Sequence, residues 1–546
     1  MKTNRFKPSW LKLTTVLALS TALIAGCSSG NNGNNGENAS NKPGSSESAS
    51  PSNGDSQAEA ISLSYWVGLP ANAARSLKDY GESLFYKELE KRTNVSVDFI
   101  HPAVGTESEQ FNLMIASGKL PDVIESNFTS YPGGPEKAIA DKVIIPLNDV
   151  IEQYAPNLKE FLDEHPDMLK EISTDNGTIY AFPALGVGHS NVSSGFMLRK
   201  DWLDELGLAV PETIDEWTNV LRAFKEKKGV KTPLTMTLSD FRSERLNGAY
   251  GVGASFYQEE GKVKFGPYED AYKDYLALLN SWYKEGLLDP DFATQDSAAK
   301  DAKATNGGAG AFPAYIGSAM GKYLNANKDS DPAYDLVAAQ HPVLNKGDEP
   351  KFFTAAYDYR GEGSAGITPA NTHVEQTAKW LDYLYSAEGD LLKSFGVEGE
   401  TYNLEGDYPK YTDLIVNNPD GLSIGDAMAK YLRVSSPSPG FVGDDRYTEQ
   451  YYGFDQQKNA VKVFNKYYDN LKDTRMPRVT ATDEEGQELS AIMAEVNTYR
   501  EEMFMQFVMG SAPLSEFDSY KEQLKKMGIE RAIEINQAAL DRYNQR

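Results

Sequence analysis

The sequence predicts an α/β fold, and three observations carry that prediction. Short aliphatic or alternating runs recur between longer runs of helical period. Glycine or a polar cap stands at most of the junctions between them. Of the 546 residues, 40% are hydrophobic and 11% aromatic, which suits several buried cores.

Residues 61–67 form the first expected strand. A helix over 76–92 follows, with Leu77, Leu84, Phe85 and Leu89 on one face. Val95, Val97 and Phe99 alternate as a half-buried strand. Residues 107–117 read as a helix stopped by Gly118, a residue suited to the left-handed cap. Residues 120–124 are the next strand. This β-α-β-α-β order implies parallel strands covered by helices on both faces.

Further on, Thr213 and Glu216 have the spacing of a capping box, and Trp217, Val220, Leu221 and Phe224 follow at helical intervals. A helix over 268–285 carries Tyr275, Leu276, Leu279 and Trp282. A second box, Thr372 with Glu375, opens a helix bearing Trp380, Leu381 and Leu384. The last 60 residues read as mostly helix, with Ser515 as a cap and Gly528 as a stop.

Charge narrows the function. Lys and Arg number 54 against 79 Asp and Glu, a formal charge of −25. Residues 1–26 hold four cations and no acid, so their removal leaves −29. Such a surface repels phosphate backbones, and no nucleic-acid partner is expected. The single cysteine, Cys27, allows neither an internal disulfide nor a cysteine zinc site.

The N-terminus reads as an address. Basic residues precede an apolar run from Leu13 to Ala25, the pattern of a secretory signal. The run ends Leu23-Ile24-Ala25-Gly26-Cys27 and resembles the lipobox of bacterial lipoproteins. That resemblance implies cleavage after residue 26 and a diacylated Cys27, two chains being enough for stable anchoring. Residues 28–60 carry nothing apolar larger than alanine and read as a tether spanning roughly 30 Å.

Three motifs tempt toward catalysis. Gly421-Leu422-Ser423-Ile424-Gly425 matches a nucleophile elbow, but a turn precedes it and no histidine follows Ser423. Gly361-Glu362-Gly363-Ser364-Ala365-Gly366 matches a dinucleotide loop, but no helix opens directly after it, so a flexible glycine-rich loop is expected. Acid pairs such as Asp444-Asp445 are unremarkable among 79 carboxylates. The positive signal is aromatic. Trp66 ends a strand, where open α/β sheets place ligands, and Tyr315, Tyr357, Tyr359, Phe441, Tyr447, Tyr451 and Tyr452 lie in glycine- and proline-punctuated segments. Flat rings suit the C–H faces of sugars, and guanidinium or amide groups suit their hydroxyls and carboxylates.

Residues 109–123 (EQFNLMIASGKLPDV), 196–208 (FMLRKDWLDELGL), 383–389 (YLYSAEG), 395–399 (FGVEG) and 538–543 (AALDRY) resemble segments of the extracellular solute-binding lipoproteins of ABC sugar importers. The likeness is to the large oligosaccharide-binding subgroup that includes alginate-oligosaccharide binders. It implies a two-lobed periplasmic-binding-protein-like fold with a ligand cleft between lobes and a helix-rich C-terminus. The implied organisation is a signal peptide at 1–26, Cys27 and tether at 27–60, the N-lobe at 61–182 and 339–400, and the C-lobe at 183–338 and 401–546.

The resemblance also implies the function. The expected protein is a monomer on the outer face of a Gram-positive cell membrane, with an oligosaccharide ligand and ABC permease subunits as partners and no enzymatic step. Trp66, Tyr315 and Phe441 are the expected stacking residues, with Val442 as the alternative equivalent of Phe441. Asn127, Arg199, Arg360 and Arg446 are the expected polar contacts. Ala184 stands where alginate binders carry an aromatic, which implies a different sugar or subsite. Relatives carry an acidic calcium loop after the helix matching 220–226; here the stretch is Lys227-Lys228-Gly229-Val230-Lys231, so no metal or cofactor is expected. The rival readings are a lipid-anchored glycan hydrolase, a sugar-sensing lipoprotein without transport, and a binder of peptides.

Overall fold

The computed structural model describes residues 60–187, 191–243, 245–434 and 436–546. The leader, Cys27 and the tether as far as residue 59 lie outside the described residues. The strands are β1 (Ile61–Trp66), β2 (Val95–Ile100), β3 (Val123–Ser126), β4 (Phe182–Gly186), β5 (Ser194–Arg199), β6 (Phe256–Glu259), β7 (Lys262–Phe265), β8 (Ala311–Tyr315), β9 (Leu336–Ala339), β10 (Tyr359–Ile367), β11 (Tyr402–Glu405), β12 (Tyr408–Tyr411) and β13 (Gly440–Val442).

Two sheets organise the chain. The first has the order β13-β4-β10-β3-β1-β2. β1 runs parallel to β2 and β3, β13 runs parallel to β4, and β10 lies antiparallel between β3 and β4. The carboxyl ends of five strands therefore share one edge with the amino end of β10. The second sheet, β8-β5-β9, is antiparallel throughout. Leu63, Val123, Phe182, Ile367 and Trp380 belong to the core of the first lobe. Phe196, Trp217, Phe224, Trp282 and Phe507 belong to the core of the second.

The helix Ile214–Lys227 shows how sequence becomes packing. Thr213 Oγ1 accepts from the Glu216 amide, and Glu216 Oε2 accepts from the Thr213 amide, both at 3.2 Å. Trp217, Val220, Leu221 and Phe224 are buried on its inner face. Each such side chain contributes roughly 1.5–3 kcal/mol on burial. The C-terminal helices Asp483–Met509, Phe517–Lys526 and Ile529–Gln545 close over the same core.

Several expectations need correction. The helix expected over 76–92 is broken: Asp79 caps a 3-10 turn at Tyr80–Glu82, and Ser83 caps the helix Leu84–Thr93. Thr372 and Glu375 make no capping box. Asn371 does that work, its Oδ1 accepting from the His373 amide at 2.7 Å and its Nδ2 donating to Thr377 Oγ1 at 2.8 Å. Ser515 falls inside the 3-10 turn Leu514–Glu516 and does not cap the helix that follows.

The expected loop at 361–366 is strand β10, at the heart of the first sheet. Its glycines allow close backbone approach: a Cβ on Gly363, where φ is +85°, would stand within 2.4 Å of Pro437 C and O. β4 and β13 both belong to the first sheet, so the chain leaves that sheet after Gly186 and again after Val442.

Candidate functional site

The chain passes between the sheets through 187–193, through 340–358, and after Val442. A cavity of about 220 Å³ opens among these passages, lined by Asn191, Ser193, Arg360, Val442, Tyr447 and Tyr452 among others. It adjoins the edge of the first sheet where the carboxyl ends gather, the usual ligand position in open α/β sheets. A hollow of about 580 Å³ adjoins it, sharing Thr448 and Tyr452 and rimmed by exposed charges such as Lys462, and another of about 600 Å³, rimmed by Asp163, lies elsewhere.

Arg360 projects from the start of β10 into this cavity. Its Nε donates to Tyr357 O at 2.7 Å and its Nη2 to Asn191 Oδ1 at 3.2 Å. Burial pulls its guanidinium below the ordinary arginine range. Asn191 Nδ2 donates to Asp358 Oδ1 at 2.9 Å, which Tyr468 also reaches, at 3.1 Å. Tyr447 is pushed up to about 12 by burial, so its hydroxyl stays protonated and able to donate.

The segment 433–443, one wall of the cavity, is held from below. Lys393 is fully buried and donates to the carbonyls of Ser438 and Pro439 at 2.9 and 2.8 Å. Burial pulls its ammonium down to about 7. Arg433 reaches Glu125 of β3 at 2.7 Å and also donates to Ser436.

The residues expected from sequence fare differently. Tyr315, at the end of β8, is 58% exposed and free to stack. Arg360 lines the cavity. Trp66 is only 5% exposed; Phe111 of the helix Glu107–Ser117 meets its ring edge-on at 5.7 Å, so it serves the core. Asn127 caps the turn Phe128–Ser130, its Oδ1 accepting from the Thr129 amide and hydroxyl.

Arg199 is 4% exposed and sits at the end of β5 remote from Tyr315, in a bidentate pair with Asp201 at 2.8 and 2.6 Å and between Trp202 and Tyr334. It is a structural clamp. Phe441 packs on Phe161 and Tyr385, away from the cavity; Val442, one residue on, lines it. Arg446 closes on Asp444 next door. Ala184 is wholly buried, in register with Arg360 and Gly440. Ser423 caps the helix Ile424–Tyr431 and is no nucleophile elbow. Lys228, in the stretch matching the calcium loop, pairs with Glu205 at 2.5 Å.

Sequence reasoning missed Asn191 and Arg245. Arg245 is 8% exposed; its Nε donates to Ser243 Oγ at 2.9 Å and its Nη2 to Ser194 Oγ at 3.4 Å. Ser194 is the register partner of Tyr315. Nothing in the local pattern FRSERLN marks this arginine as buried.

Two lobes, three passages and a polar cavity between them match a known family. Residues 74–390 fit the model of the bacterial extracellular solute-binding proteins. The chain belongs to that family. It is 27% identical over 519 residues to the fructooligosaccharide ABC transporter substrate-binding protein FusA of Streptococcus pneumoniae, covering 87% of this chain and 90% of FusA. The lipoprotein LipO of Bacillus subtilis is 25% identical over 553 residues, 96% of each chain. Among solved structures, this solute-binding protein resembles the alginate-binding protein AlgQ2 with a TM-score of 0.68 and 27% identity, covering 89% of this chain and 98% of AlgQ2. FusA in complex with kestose gives a TM-score of 0.69 at 25% identity, covering 89% and 99%.

Proposed function

We propose that this solute-binding protein captures an oligosaccharide between its lobes and delivers it, chemically unaltered, to the transmembrane subunits of an ABC importer. The observation that carries the reading is the cavity at the lobe passages, with the donors of Arg360, Asn191 and Ser193 beside the ring of Tyr447. Tyr315, exposed at the end of β8, adds a stacking face. Sugars need both kinds of surface. FusA and AlgQ2, similar along nearly their whole lengths, are named for binding oligosaccharide and alginate.

Lobe closure around the ligand supplies retention and release without a covalent step. Diacylation of Cys27 would hold the protein at the outer face of a Gram-positive membrane, and LipO supports that placement as a named lipoprotein. The expected working form is a monomer, with its lobes meeting after Gly186, after Ala339 and after Val442.

A thermal-shift screen across oligosaccharides tests the proposal. A sugar at a hundred times its Kd should stabilise the protein by about 2.7 kcal/mol. Reducing ends should not accumulate over hours of incubation; their appearance would favour the hydrolase reading.

A further inference from the structure

The three chain passages join the first sheet at β4, β10 and β13, which are neighbours at one end of the order β13-β4-β10-β3-β1-β2. Connections bunched on one side of a sheet permit hinge motion and restrain twist and splay only weakly.

The helix Ile529–Gln545 adds an attachment of another kind. It belongs to the second lobe: Ile529 and Ala532 lie in that core, and Gln537 bonds the Val263 amide and the Gly261 carbonyl. Its last turn lies against the first lobe, on the helix Pro166–Ile172 and the turn that follows. Arg542 Nε donates to Asp175 Oδ2 at 2.7 Å, and Arg546 Nη2 and Nε donate to Asp175 Oδ1 at 2.5 and 3.1 Å. The Tyr543 hydroxyl donates to Glu171 Oε1 at 2.8 Å. Arg546 Nη1 also reaches the carbonyls of Lys170 and Ser173, at 2.8 and 2.6 Å. Ile172 and Ile179, on either side of Asp175, lie in the first lobe's core, so the acid is fixed to that lobe.

The clamp is backed from the second lobe. Arg542 donates to both oxygens of Glu485, at 3.1 and 2.6 Å, and Glu485 stands in the first turn of the helix Asp483–Met509. Val496, Phe504 and Phe507 of that helix are in the second core. Its start also meets the first lobe: a Cβ on Gly133 would stand 2.6 Å from Asp483 Oδ1. Ala138, in the helix Gly134–Ala140 just after Gly133, packs with Phe128 beyond β3, so the contact reaches past β10 to the β3 side of the sheet. The Arg546 side chain is 3% exposed and that of Asp175 20%. Charges this enclosed are screened by salt less than surface pairs, and what such a network fixes best is one geometry.

We infer that Arg542, Tyr543 and Arg546 are positioning residues: closed on Asp175 and Glu171, they form a fourth, non-covalent attachment that limits how far the ligand-free lobes swing apart. The passages allow the hinge and the clamp narrows it. Lobes held near the binding arrangement avoid the loss of affinity that a rarely populated arrangement imposes. The inference goes beyond the capture reading and requires no particular sugar.

Spin labels at V104C and S318C in the C27S chain, read by pulsed electron spin resonance without ligand, test it. Val104 follows the carboxyl end of β2 and Ser318 that of β8, and both are exposed. The wild-type distance distribution should be narrow. D175N and R542Q should lengthen its mean by more than about 2 Å or widen it, and Y543F should do so less. R222Q breaks a pair of similar geometry inside the second lobe, Arg222 with Glu285 at 2.8 and 3.0 Å, and should leave the distribution unchanged. If D175N does not fold, R542Q and Y543F decide. R542Q matching wild type, or R222Q widening the distribution as much, would overturn the inference. A lowered melting temperature with an unaltered distribution would also overturn it, leaving the contact as packing alone. The capture reading stands under either result.

Discussion

Arg433 and Glu125, 308 residues apart in the chain, meet at 2.7 Å with each side chain 3% exposed. Tyr65 donates to the other oxygen of Glu125 at 2.8 Å, and Arg433 Nε donates to the Tyr86 hydroxyl at 3.3 Å. The pair ties β3 to the segment that walls the cavity ahead of β13. Removing one partner strands a buried charge, so R433M should lower stability by about 3–5 kcal/mol. The double variant E125L/R433M should recover much of that loss. Denaturant midpoints of the two single variants and the double measure both effects.

Gly363 is held at φ +85° with the Pro437 carbonyl against the place a Cβ would occupy. Gly363→Ala should cost roughly 2 kcal/mol or more, because both the dihedral and the contact are adverse. It should also weaken ligand binding, since Pro437 lines the cavity. Thermal denaturation and calorimetry on the same preparation give the two numbers.

His341 is 5% exposed, stacks on Phe353 at 4.6 Å, and has no hydrogen-bond partner among the described residues for either ring nitrogen. Burial, aided by the Arg245 charge, pulls it down to about 3. The unfolded chain takes up this proton near pH 6.5 and the folded chain refuses it. Stability is therefore full above about pH 6.5 and falls as pH drops toward 3, by up to about 4–5 kcal/mol from this group. H341F should flatten that acid slope relative to wild type and leave stability near pH 8 little changed. Unfolding free energies measured from pH 3 to pH 8 for both proteins check this.

Tyr315 should matter for ligand and little for folding. The residue is 58% exposed, so Tyr315→Ala removes few core contacts. Melting temperature should move by about a degree or less, while sugar affinity falls about tenfold. A large loss of melting temperature with unchanged affinity would place this ring outside the site.

Much of the fold was legible because its signals are local. Thr213 and Glu216 announce their helix, and Gly118 ends its own with φ +66° as expected. The site was legible only in part, because burial is decided by distant chain. Trp66 reads as a strand-end stacking ring until Phe111 covers it. Arg199 reads as a polar ligand contact, yet its guanidinium is taken up by Asp201, two residues away. Phe441 and Val442 differ by one step of a two-residue period, and only the pairing of β13 with β4 shows which one faces the cavity. The glycines of β10 look like a loop because the pressure of Pro437 upon them comes from 74 positions further along.

Capture without chemistry is the property that defines a solute-binding protein. Titration of the purified chain with an oligosaccharide selected by the thermal screen, followed by mass spectrometry of the recovered sugar, addresses it at once. Binding should saturate at one ligand per chain, and the recovered sugar should have unchanged mass. Shortened fragments, or failure of every screened sugar to bind, would contradict it.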